Sequence, residues 1–292
     1  MASASLLQTG LNCQFIIVAP PYRHSSAGTR ALHRLCHLLN TVGCRAAIKL
    51  LNGAYLQAGA NPKWNTPVFA GPTAPADAIV IYPEVVQGNP LCAERVVRWA
   101  LNYPGLLGGD REYTDSEVVF VWDARMLDRV RPATRRELSL GNVLTIPVID
   151  PAYIYADPAV RKEFDSYFIH KGRNVRTRYR LPCESQMICV DLSTPSYWHL
   201  GELLRKTKRL YLYDHASILA REALVCGCEI LQVHADGVIL DPRICSRERR
   251  RCSFQETSSW PANDYLTSYK DDWDNPAPVL RFVDTVTRYW MS

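Results

Sequence analysis

Asp214 and Glu222 stand eight positions apart, and between them the chain passes from the apolar run Leu210–Tyr213 into a helix-like segment opening at Ser217. A carboxylate at the carboxyl end of a strand, with a second about two turns along a helix, can accept hydrogen bonds from the vicinal hydroxyls of a ribose. A capping Asp and a helix-surface Glu have the same spacing. Upstream, His170-Lys171-Gly172-Arg173 follows another strand-like run. Lys is a point charge, Arg a forked donor, and Gly permits close approach, a combination suited to a diphosphate. Arg176, Arg178 and Arg180 extend the basic character, and a solvated basic loop would share that composition. In the first half, Arg23-His24-Ser25-Ser26-Ala27-Gly28-Thr29 opens a helix, whose unpaired N–H groups favour an anion or a polar ligand. No GxGxxG fingerprint is present, which argues against a dinucleotide site of the usual kind.

These segments need strands and helices to position them. Phe15–Ala19, Ala78–Tyr82, Val118–Trp122 and Val143–Ile149 read as strands. Thr29–Thr41 reads as an amphipathic helix ending near Gly43, residues 45–50 as a strand, and Pro90–Asn102 as a second helix. Around residues 150–165 turn signals cluster, and the alternation then restarts. Strands are expected at Ser166–Ile169, Met187–Val190, Leu210–Tyr213 and Glu229–Val233. Helices are expected at Trp198–Thr207, Ser217–Cys226 and Pro278–Trp290. Such alternation predicts an α/β chain with two Rossmann-like domains facing a cleft. The expected boundaries are 1–155 and 156–275, with 276–292 a helix packing back on the first domain.

With 292 residues, 47% hydrophobic and 22% charged, the chain can bury a core, and collagen-like, disordered and disulfide-scaffold classes are excluded. No run approaches the ~18 apolar residues of a membrane span, and Met1–Leu7 lacks the features of a signal peptide. The net charge of +5 suits an anionic small ligand or membrane surface better than nucleic acid. Arg247-Glu248-Arg249-Arg250-Arg251 is a basic run that could lean on anionic lipid, although a solvated loop fits it better. Ten cysteines include no CxxC pair, so reduced thiols in the cytoplasm are expected. Asp271-Asp272-Trp273-Asp274 holds a superficial DxD in a late polar stretch, and no metal site is expected.

The segment from Asp214 to Glu222, followed by Ala223-Leu224-Val225-Cys226-Gly227-Cys228-Glu229-Ile230, resembles the nucleotide-binding segment of GT-B glycosyltransferases, group 1 or family 4. Asp214 stands where that family has Glu. The stretch Tyr82-Pro83-Glu84-Val85-Val86-Gln87-Gly88-Asn89-Pro90-Leu91, with Val96-Val97-Arg98-Trp99 and Pro104-Gly105 after it, is similar to the bacterial polysaccharide and lipopolysaccharide type. The resemblance implies a GT-B-like fold and sugar transfer from a nucleotide-sugar donor to a glycan or lipid-linked acceptor. Lys171 and Arg173 would contact the donor diphosphate, Glu222 its ribose, and Asp214 and Ser217 would complete the donor site. No metal or other cofactor is implied. An inverting reaction would need a base from the first domain, for which His24, Glu84 and Asp110 are the candidates; a retaining one would not. The expected location is the cytoplasm, with peripheral contact at the inner face of the membrane and no nucleic-acid partner. A nucleotide-sugar epimerase, a nicotinamide-dependent oxidoreductase and a non-catalytic nucleotide-binding partner are the competing readings. Tyr197, Trp198, Tyr211 and Tyr213 are equally suited to base stacking and to the core.

Overall fold

Short apolar runs are stable as strands only when both faces are covered. Phe15–Ala19 is such a run, and no residue in it is more than 2% exposed in the computed structural model, which describes residues 13–51, 61, 63–215, 217–241 and 263–291. It forms β1 (Gln14–Ala19). Ser26 caps the next helix, α1 (Ala27–Thr41), its Oγ accepting from Thr29 N at 3.3 Å. Leu32, Leu35, Cys36 and Leu39 lie on the buried side of α1, the face its helical periodicity predicts. Gly43, at φ 94°, turns the chain into β2 (Arg45–Leu50). Next come β3 (Ile79–Pro83), β4 (Arg95–Ala100), β5 (Val118–Val121) and the short α2 (Leu127–Val130). All pairings in the β2-β1-β3-β4-β5 sheet are parallel.

Residues 95–100 overturn the helix expected over Pro90–Asn102. Val96, Val97, Trp99 and Ala100 are buried together, and Arg98 in their midst is buried and paired. Lying between β3 and β5, the segment hydrogen-bonds along both edges. β-branched and aromatic side chains suit that pleated setting. The strand expected at Val143–Ile149 reduces to one bridge, Val121 to Val143.

The second sheet is built from β6 (Phe164–Phe168), β7 (Ile188–Cys189), β8 (Thr207–Leu212), β9 (Glu229–Val233) and β10 (Ile239–Leu240). Between and after them lie α3 (Arg173–Arg178), α4 (Val190–Ser193), α5 (Tyr197–Lys206), α6 (Leu219–Val225) and α7 (Asn263–Trp273). The order is β10-β9-β8-β6-β7, with only β10 antiparallel. Leu200 and Leu204 of α5, Leu210 and Leu212 of β8, and Ala220 and Ala223 of α6 form its core. The last helix, α8 (Ala277–Met291), inserts Phe282 against Phe120 at 4.9 Å and Phe15 at 6.1 Å between ring centroids.

The chain is therefore α/β, with two parallel-dominated five-stranded sheets. It divides into two compact units, 1–148 with 275–292, and 149–274. Both sheets share one order. The first strand of each unit lies between its second and third, so the chain leaves in opposite directions from neighbouring strands. Ligands of open α/β sheets bind beyond the carboxyl ends of the strands at this reversal. It falls between β1 and β3 in the first unit and between β6 and β8 in the second. Among the described residues, no helix is long and apolar enough to cross a membrane.

Candidate functional site

In the second unit, β6 ends at Phe168 and β8 at Leu212, so the loops that begin at Ile169 and Tyr213 are the two at the reversal. Asp214 ties them together. Only 6% exposed, its carboxylate lies 3.1 Å from His170 Nδ1 and 3.4 Å from Lys171 N, from which it accepts. Gly172 makes this closeness possible, because a Cβ there would lie 2.2 Å from the Tyr213 carbonyl carbon. A second carboxylate works from the other side, Asp191 accepting from Ile169 N at 2.7 Å and His170 N at 3.2 Å. His170 is held at φ 37°, a left-handed conformation uncommon outside glycine. Its ring stacks on Phe168, 5.6 Å between centroids and 12° from parallel.

Lys171 and Arg173 are exposed beside this knot, and neither forms an ion pair among the described residues. The turn His170–Gly172 runs directly into α3, and Glu184 anchors that helix from below. Glu184 is 3% exposed and accepts from Arg176 Nη2 at 2.6 Å, Arg180 Nε at 2.7 Å and the Tyr213 hydroxyl at 2.9 Å. Burial alone would raise its pKa, but these donors outweigh it and hold the carboxyl below its usual value. Glu184 thus binds the helix after β6 to the end of β8, a second link between the same two loops.

Ser217 accepts from Leu219 N at 3.2 Å, and the α-helix opens two residues later than expected, at Leu219. Glu222 is only 2% exposed and accepts from the Tyr197 hydroxyl at 2.6 Å. Tyr197 belongs to α5, so this bond links α6 to α5. Of the aromatics singled out by sequence, Tyr197, Tyr211 and Tyr213 are buried, while Trp198 is 53% exposed. His215 and His234 follow β8 and β9 with their rings 4.6 Å apart, and His215 Nε2 is 2.9 Å from Val233 O. Burial lowers the pKa of both.

The first unit gathers its candidates around β3 and β4. Glu84, directly after β3, is 4% exposed and accepts from Leu101 N at 3.0 Å, directly after β4. Asp110 accepts from Gly88 N at 2.7 Å and pairs with Arg98 at 3.2 Å. Gly109 packs against the Glu84 backbone, where a Cβ would fall 2.0 Å from the carbonyl oxygen, and its φ of 73° also favours glycine. Arg98 holds the neighbourhood from beneath. It donates to Glu117 at 2.8 Å, Val86 O at 3.0 Å and Gly88 O at 2.7 Å, and lies over the rings of Tyr82 and Tyr113. Glu84 and Asp110 are therefore brought together as fasteners of two loops. His24 is half-buried in the loop after β1, two residues before the α1 cap.

Sequence reasoning missed Asp191, Glu184, Tyr197 as partner of Glu222, and Arg98. Only Arg98 carried a signal, as one charge inside an apolar run. Among the described residues, no group of three or more His, Cys, Asp or Glu is arranged to hold a metal ion. Asp271, Asp272 and Asp274 are exposed near the end of α7, and Ser268 donates to Asp272 at 3.3 Å. None of the eight cysteines among the described residues is in a disulfide. Burial pushes the thiols of Cys44 and Cys228 up to about 11 and that of Cys226 to about 12. The basic run Arg247–Arg251 lies outside the described residues. Comparison of the chain with protein-family models and with curated proteins gives no match.

Proposed function

We propose that this chain is a glycosyltransferase of GT-B type, which moves a sugar from a nucleotide-sugar donor to a glycan or lipid-linked acceptor in cell-surface glycan synthesis. The observation that carries the reading is the knot at Asp214. It joins both loops of the β6–β8 reversal and leaves Lys171 and Arg173 exposed beside it. Sugar transfer breaks the bond from the anomeric carbon to the diphosphate oxygen and forms one to the acceptor oxygen. The departing diphosphate accumulates negative charge, which cationic side chains at fixed positions stabilise. Lys171 and Arg173 supply that charge without a metal ion, Arg173 through a forked donor. Ser217 lines the adjoining loop.

An inverting reaction needs a base for the acceptor hydroxyl. His24, Glu84 and Asp110 are the candidates for it in this reading, Glu84 and Asp110 also holding loops. The cytoplasm is the proposed location, where nucleotide sugars are available as donors, with peripheral contact at an anionic membrane.

The test is a thermal-shift panel of UDP, GDP, CDP, CMP, TDP and NAD, with and without magnesium. A ligand at 100 times its dissociation constant stabilises by about 2.7 kcal/mol. A selective, magnesium-independent response to one nucleotide, lost in the Lys171→Ala, Arg173→Ala double variant, is expected. A response to NAD alone, or one indifferent to those two residues, overturns the reading. Conversion of a nucleotide sugar without any acceptor would identify an epimerase instead.

A further inference from the structure

We infer that His170 is a further ligand-binding residue of the donor site, its Nε2 donating a hydrogen bond to a phosphate oxygen of the donor diphosphate. The inference rests on the donor site proposed above. The structure fixes this ring at one nitrogen and one face, and its backbone at two amides. Two backbone amides, Ile169 N and His170 N, are held by Asp191. Nδ1 faces the Asp214 carboxylate at 3.1 Å, and one ring face lies on Phe168. A carboxylate only accepts, so Nδ1 carries the hydrogen of that bond. Nε2 is left, with no hydrogen-bond partner among the described residues, on a side chain 40% exposed.

The backbone points the same way. A non-glycine residue at φ 37° is strained, and such conformations persist only where surrounding structure over-determines them. Here two aspartates from neighbouring strand ends do so. An ordinary loop needs neither the strain nor the aspartates. A ring that must present one nitrogen beside Lys171 and Arg173 needs both.

The charged groups about the ring are Asp214 after β8, Asp191 in α4, and Lys171 and Arg173 next in the chain. In the bound state Nδ1 faces Asp214 and Nε2 gives a hydrogen to the phosphate, so the diphosphate receives a third donor beside Lys171 and Arg173. No bond is broken by this residue.

Two variants separate the nitrogens. His170→Asn suits a left-handed backbone and keeps an amide donor near the Nδ1 position, but removes Nε2. His170→Gln restores an amide donor near the outer position. The probe is inorganic pyrophosphate binding to the full chain, measured by calorimetry. His170→Asn is expected to weaken binding about tenfold or more, and His170→Gln to stay within about threefold of the wild type. Unchanged affinity in His170→Asn overturns the inference. So does equal loss in both variants, since the ring's seat rather than its outer nitrogen would then matter. If Lys171→Ala and Arg173→Ala weaken binding while His170→Asn does not, the donor site stands and this inference alone fails. A wild-type chain that binds no pyrophosphate overturns both.

Discussion

The Tyr197 hydroxyl donates to the Glu222 carboxylate at 2.6 Å, and both side chains are buried. The residue expected to hold a ribose thus accepts a bond from α5 through one carboxylate oxygen. A hydrogen bond to a charged group contributes about 1.5–3 kcal/mol. Tyr197→Phe should lower the unfolding free energy by about that amount in urea denaturation. An unchanged midpoint would show that the carboxylate does not depend on this donor.

Arg98 and Glu117 form the corresponding feature of the first unit. They are 2% and 7% exposed in their side chains and 2.6 Å apart. Removing one partner of a buried pair leaves the other charged and desolvated, at a cost of about 3–5 kcal/mol. Arg98→Met should approach that loss, because Val86 O and Gly88 O lose their donor as well. A loss below about 1 kcal/mol would place it with solvent-exposed pairs.

Glu184 makes stability depend on acid. Its folded-state pKa lies below 4.5, so its contribution is complete above that pH and is lost as pH falls through the folded value. Urea midpoints should therefore drop between pH 6 and pH 3, and the drop should be smaller in Glu184→Gln. Equal drops in both proteins would assign the acid sensitivity elsewhere.

A separate window belongs to His33, His215 and His234. Burial lowers the pKa of each below 6.5, and His215 adds to the effect on His234. The unfolded chain then binds more protons than the folded one, so stability falls as pH drops below about 6.5. Thermal unfolding between pH 7.5 and pH 5.5 should show this slope. His215→Gln keeps a donor near Val233 O while removing one titrating ring, and should flatten part of the slope. An undiminished slope would exclude His215 as a contributor.

The sequence by itself determined most of the local elements. Phe15–Ala19 has no polar face, is short and is closed by Pro20-Pro21, and so reads as an interior strand. In α1, Leu32, Leu35 and Leu39 recur at helical spacing and select a buried face. It also determined which loops follow strands, and so placed Lys171, Arg173, Asp214 and His24 at the strand ends. Residues 95–100 were not legible, since a short buried run has the same composition as a helix segment until two strands flank it. Only the tertiary structure decided the strand order, and with it the two reversals. It also decided the partners of the carboxylates. Asp214 meets a ring 44 positions away, and Glu222 a hydroxyl 25 positions away. Spacing along one segment cannot report such pairings, because the partner is chosen by which strands come to lie side by side. An Asp that caps, an Asp that orients a histidine and an Asp that faces a ligand are identical as letters. Burial and the distance to the nearest donor tell them apart.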